Sequence, residues 1–119
     1  MVYWITRIIG TKAAGEELKP EEYGCIIFDV RNLTDGKNES LPLIKTLKAL
    51  RGLITYAEGV NRRVVIQCQA GVSRANALAA TMLFLDGLEW EDALDIVKKR
   101  CPRTQINQEL IDQIKEIFK

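Results

Sequence analysis

Cys68 and Arg74 bracket the stretch Gln67-Cys68-Gln69-Ala70-Gly71-Val72-Ser73-Arg74. A thiol is a nucleophile, and a guanidinium is the natural partner of a tetrahedral oxyanion because its planar fork meets two oxygens at once. The small or flexible residues between them, Gln69, Ala70, Gly71, Val72 and Ser73, can curl so that consecutive backbone N–H groups point at one anion. Gly71 permits a turn that a side chain would obstruct. A helix opening near Arg74 adds the positive end of its dipole to the same place. That field also favours a thiolate on Cys68. The chemistry expected is phosphoryl transfer: in-line attack of sulfur on phosphorus, a phosphocysteine, then hydrolysis by water. Ser73 is placed to donate its hydroxyl to the departing sulfur. No step calls for a cofactor.

Spacing alone is weak support, because Cys25 and Arg31 repeat it in Cys25-Ile-Ile-Phe-Asp-Val-Arg31. That interior is bulky, β-branched and without glycine, so it reads as an extended strand with Cys25 as a core cysteine. Context separates the two. Before Cys68 runs Val64-Val65-Ile66, a short apolar segment suited to a strand buried on both faces. After Arg74, Ala75–Leu85 is apolar nearly all round, the mark of a central buried helix.

The elements that must hold this loop follow from periodicity. Val2–Ile9 and Cys25–Val30 read as strands. Leu43, Ile44, Leu47, Leu50, Ile54 and Ala57 recur at helical spacing, with Ser40 as N-cap, Pro42 in the first turn and Gly59 at the close. Two amphipathic helices end the chain, one carrying Trp90, Ala93, Leu94 and Val97, the other Leu110, Ile111, Ile114 and Ile117. Strands alternating with helices, then helices alone, predict one α/β domain over residues 1–119. Its central sheet is small, mainly parallel and flanked by helices.

Composition narrows the function classes. The chain has 119 residues, a net charge of +1 and no histidine. Near-neutrality argues against nucleic-acid binding by bulk electrostatics. Without imidazole there is no serine–histidine triad and no histidine-ligated metal. Three cysteines, an odd number without CxxC spacing, argue against a disulfide framework or a zinc site and for a reducing, cytoplasmic setting. The segment MVYWITRIIG is too short to span a bilayer and lacks a small-residue cleavage site. A monomer with no membrane partner is expected. Arg31, Lys37, Arg62, Arg63 and Arg103 could form a cationic rim, although solvated surface is the better reading for most of them.

The stretch VVIQCQAGVSRANALAATMLFL resembles the signature of the dual-specificity branch of the protein tyrosine phosphatase superfamily. The likeness continues through LEWEDALDIVKKRCPRTQIN. It implies a tyrosine phosphatase-like fold and a phosphorylated protein or peptide substrate carrying phosphotyrosine, with phosphoserine and phosphothreonine also in scope. It further implies an upstream aspartate that protonates the leaving oxygen, and a tie from Asn107 to the catalytic loop. Asp35, in the loop-like Asn32-Leu-Thr-Asp-Gly-Lys-Asn, is favoured over Asp29 in the apolar run CIIFDV, because a residue that closes over phosphate belongs on a loop. Gln67 stands where the family usually has histidine; its amide can hold the loop but brings no positive charge. A catalytically weak phosphate-binding module of the same fold is the main alternative. An arsenate reductase or sulfur-transfer protein would need a resolving cysteine near Cys68. A phosphoinositide phosphatase fits poorly with the uncharged Gln69, Ala70 and Val72.

Overall fold

A computed structural model describes residues 1–119. The order is β1 (Tyr3–Trp4), β2 (Ile9–Ala13), a 3-10 turn (Pro20–Glu22), β3 (Ile26–Asp29), α1 (Ser40–Gly59), β4 (Val64–Cys68), α2 (Arg74–Leu85), α3 (Trp90–Arg100) and α4 (Gln108–Ile117). The four strands form one mixed sheet in the order β1-β2-β4-β3. Only β1 runs antiparallel, against β2; β2 and β3 both lie parallel to β4. The expected α/β architecture with a mainly parallel sheet is what forms.

Being bonded on both sides, β4 lies inside the sheet, and Val64, Val65 and Ile66 have no exposure. Such a strand must be apolar throughout rather than alternating. Register sets Ala13 beside Cys68 and Asp29 beside Gln67, so the three parallel strands end level. The carboxyl edge of a parallel sheet is where α/β folds leave a crevice for ligands. Cys68 emerges there.

The N-terminal segment departs from the single strand expected over Val2–Ile9. The Thr6 hydroxyl accepts from the amides of Ile8 and Ile9, and Ile5 N–H donates to Ile9 O, which folds the chain into a tight hairpin between β1 and β2. A threonine side chain that captures nearby amides competes with strand pairing. Gly10 is a strand residue rather than a boundary: a Cβ there would come within 2.6 Å of Val2 and 2.9 Å of Trp4. Farther on, α1 takes Ser40 as its first residue, with Glu39 in the cap position.

The core is centred on α2, whose residues Ala75–Leu83 are all buried. Its alanines let the helix lie close to both sheet and α3, where larger side chains would hold them apart. Phe84 stacks on Trp90 at 4.2 Å between ring centres and fastens α2 to α3. From α1, Leu43, Leu47, Leu50, Ile54 and Ala57 join the same core. No helix is long and apolar enough to cross a membrane.

Candidate active site

The loop from Cys68 to Arg74 is held almost entirely through its carbonyls and side chains. Cys68 O and Gln69 O accept from Ala14 N–H at 2.8 and 3.4 Å, Val72 O from Gln105 N–H at 2.7 Å, and Ser73 O from Ala77 N–H at 2.8 Å. By contrast, the six successive amides from Gln69 to Arg74 donate to no acceptor in the protein. Gly71 and Ser73 are buried, and a buried amide without an acceptor is costly. A run of such donors is the arrangement that an anion satisfies. Cys68, 2 % exposed, lies at the start of the run.

Gly71 has φ +69°, in the left-handed region. A Cβ there would lie 2.7 Å from Arg103 Nη2, 2.8 Å from Ala13 N and 3.1 Å from Lys12 C. Two of those neighbours are backbone and cannot step aside. Gly71→Ala should therefore distort the loop and lower the melting temperature, since a non-glycine residue in this conformation costs about 1–2 kcal/mol before any clash. Gly36→Ala is the control: its Cβ would meet only Thr34 Cγ2 at 4.0 Å, and φ there is not positive. Parallel thermal melts check the pair; equal melting temperatures would remove the claim.

Asp35, exposed in the link between β3 and α1, reaches the Cys68–Arg74 loop. The Ser73 hydroxyl donates to Asp35 Oδ1 at 2.5 Å and accepts from Asn107 N–H at 2.8 Å. The bond expected from Ser73 to the departing sulfur belongs to the phosphocysteine step; here the hydroxyl is bonded to Asp35 and Asn107. Asn107 does two things: its backbone N–H donates to Ser73 Oγ, and its side chain caps α4 through the amides of Glu109 and Leu110.

Arg74 Nη1 donates to Leu33 O at 2.9 Å and Arg31 O at 3.3 Å, lashing the Asp35 segment to the loop. Its Nε and Nη2, the side-on pair that meets two oxygens, have no protein acceptor. Asp29 faces elsewhere. It binds Arg31 through three side-chain contacts of 2.7–3.1 Å and accepts from Gln67 Nε2 at 3.0 Å. The Arg31 guanidinium holds its carboxyl down to about 2, so Asp29 is an anion in its pair. Gln67 thus braces β4 against β3. The two largest surface depressions, about 440 Å³ beside Lys37 and Gln113 and about 360 Å³ beside Cys25, are not at this loop. A phosphate held by amides at a sheet edge needs donors more than enclosure.

No protein-family model and no curated protein sequence matches the chain. Solved structures do. Human DUSP28 superposes with a TM-score of 0.78 at 17% identity over 97% of this chain and 90% of its own. The human tyrosine phosphatase-like serine/threonine/tyrosine-interacting protein gives 0.82 at 16% over 98% and 95%. A leucine rich repeat and phosphatase domain containing protein from Entamoeba histolytica gives 0.80 at 15% over 97% and 88%. The chain has the tyrosine phosphatase fold. On that fold the likeness runs over nearly the whole length, beyond the C-terminal part that the sequence resemblance covered.

Within the phosphatase fold, several supports escaped sequence reading. Arg103, which would pass as rim surface, is half-buried against Gly71, donates to Glu16 Oε1 at 2.6 Å and lies over Tyr3. Glu16 also accepts from Ala13 N–H and from the terminal amine. Lys12, only 4 % exposed, turns its ammonium onto the carbonyls of Ala13 and Glu16, and burial pushes its pKa down. Asn76 Nδ2 donates to Thr104 Oγ1 at 2.8 Å and fixes the segment that supplies Gln105 and Asn107. A lysine at a strand's end was the one local signal among these. Cys25 is half-buried rather than a core residue, and burial raises its pKa.

The Arg103 guanidinium holds the Glu16 carboxyl down from 4.5 to about 2. A depressed folded-state value means that this pair stabilises the fold above the ordinary carboxylate range and ceases to as pH falls toward 2. Glu16→Gln should melt at a lower temperature at neutral pH. It should also lose less stability on acidification across that window than the native chain. Melting curves collected through the window check it; parallel slopes would deny the pair its role.

Proposed function

We propose that this chain is a cysteine-dependent phosphatase acting on phosphorylated proteins, hydrolysing phosphotyrosine with phosphoserine and phosphothreonine within its scope. The observation that carries this is the row of six unpaired amides beginning beside buried Cys68. In the first step the Cys68 thiolate attacks phosphorus as the ester P–O bond breaks, and Asp35 gives its proton to the leaving oxygen. The equatorial oxygens lie on the amides and the free edge of Arg74. In the second step water attacks the phosphocysteine, its proton passes to the Asp35 carboxylate, and sulfur leaves as thiolate.

The position of Asp35 supports it as the acid, since its carboxyl is bonded to a loop residue while Asp29 is committed to Arg31 and Gln67. Resolving-cysteine chemistry through Cys25 has little support. Cys25 sits one residue below the Ile26–Val64 pairing, at the opposite end of β4, about 16 Å from Cys68 at strand rise. A phosphate-binding module without turnover is the second reading. It draws on Gln67, whose amide contributes no charge and is spent on Asp29. Hydrolysis of matched phosphotyrosine and phosphothreonine peptides by the native and Cys68→Ser chains tests both: binding of either peptide without turnover by the native chain selects the module.

A further inference from the structure

We propose that Gln113, on α4, is a positioning residue for Asp35, acting through Asn38; the assignment rests on Asp35 as the general acid. Asp35 lies midway along the segment that links the end of β3 at Asp29 to the start of α1 at Ser40. A link of this length loses considerable conformational entropy when its centre is held in one place. Its inner half has anchors already described, namely Arg74 on the carbonyls of Arg31 and Leu33, with Val30 and Leu33 buried.

The outer half depends on two amides. Asn38 Oδ1 accepts from Thr34 N–H at 2.7 Å, while its Nδ2 donates to Thr34 O at 2.9 Å and Gly36 O at 3.1 Å. One side chain thereby clasps the residues on either side of Asp35. The backbone of Asn38 is gripped in turn by Gln113, whose Oε1 accepts from Asn38 N–H at 2.8 Å and whose Nε2 donates to Asn38 O at 2.6 Å. This is a two-point ring between residues 75 apart in sequence. A carboxamide can hold an N–H and a C=O of the same residue together, where a carboxylate lacks the donor and an ammonium the acceptor. Gln113 itself is firmly based, because Leu110 and Ile114 on either side of it are fully buried. The last helix therefore sets where the acid stands, with no hydrogen bond from Gln113 to the catalytic loop.

Removing this grip should cost proton delivery and leave nucleophilic attack largely intact. For Gln113→Ala, kcat on an alkyl phosphomonoester, whose leaving group needs the proton, should fall roughly 10- to 100-fold with KM little changed. On an aryl phosphate with an acidic phenol the variant should keep most of the native rate. Gln113→Glu, which retains the acceptor and loses the donor, should fall between and guards against a misfolded alanine variant. Placed in an Asp35→Asn background, Gln113→Ala should subtract nothing further. An equal loss on both substrates, an unchanged ratio in both variants, or an additive loss in the double variant would overturn the assignment while leaving the phosphatase reading in place. A native chain inactive on both substrates would overturn the phosphatase reading, and this assignment with it.

Discussion

Cys68→Ser should abolish phosphatase turnover, with a loss on the order of 10⁴-fold or more, because Cys68 is the only thiol in the loop. Serine is close to cysteine in size, so the buried site and the carbonyl bonds that shape the loop should persist. The hydroxyl, however, stays protonated where a thiol gives up its proton, and no imidazole exists in the chain to activate it. Phosphopeptide binding should therefore survive, since the free amides and the open edge of Arg74 are untouched. Steady-state rates with an aryl phosphate and a binding titration with a phosphopeptide check the two halves. A variant that still turns over within tenfold of the native rate would move the nucleophile elsewhere.

Asp35→Asn should lower kcat by roughly 10²- to 10⁴-fold on substrates with poor leaving groups, the range that a positioned acid contributes. Good leaving groups should be much less affected, because they depart as anions without help. The amide still accepts the Ser73 hydroxyl, so the segment should stay docked and the loss should be chemical rather than structural. Asp29→Asn is the comparison. It weakens an exposed pair with Arg31, and exposed pairs contribute little to stability. Its effect on kcat should be small for both substrate classes. Reversal of the two outcomes would make Asp29 the acid.

These two carboxylates show what a sequence makes legible. The loop, the apolar strand before it and the apolar helix after it are contiguous, so their signals reinforce one another within one short stretch. Asp35 was separable from Asp29 because glycine and polar neighbours mark a loop while CIIFDV marks a strand. The destination of the Ser73 proton was not legible. It is a carboxylate 38 residues away. Glu16–Arg103 and Asn38–Gln113 span 87 and 75 residues and follow no local period. Thr6 bent a run that β-branching alone would have left straight, because its side chain captures two amides. What periodicity encodes is burial; long-range polar pairing is settled only by the fold.

The most direct test is to mix the native chain with an aryl phosphate, denature within the first turnovers, and map phosphate on the digested peptides by mass spectrometry. A phosphoryl group on Cys68, formed and lost at rates compatible with turnover, is the expected result. Phosphate on another side chain, or rapid turnover with Cys68 never modified, would contradict a mechanism in which sulfur attacks beneath the row of amides.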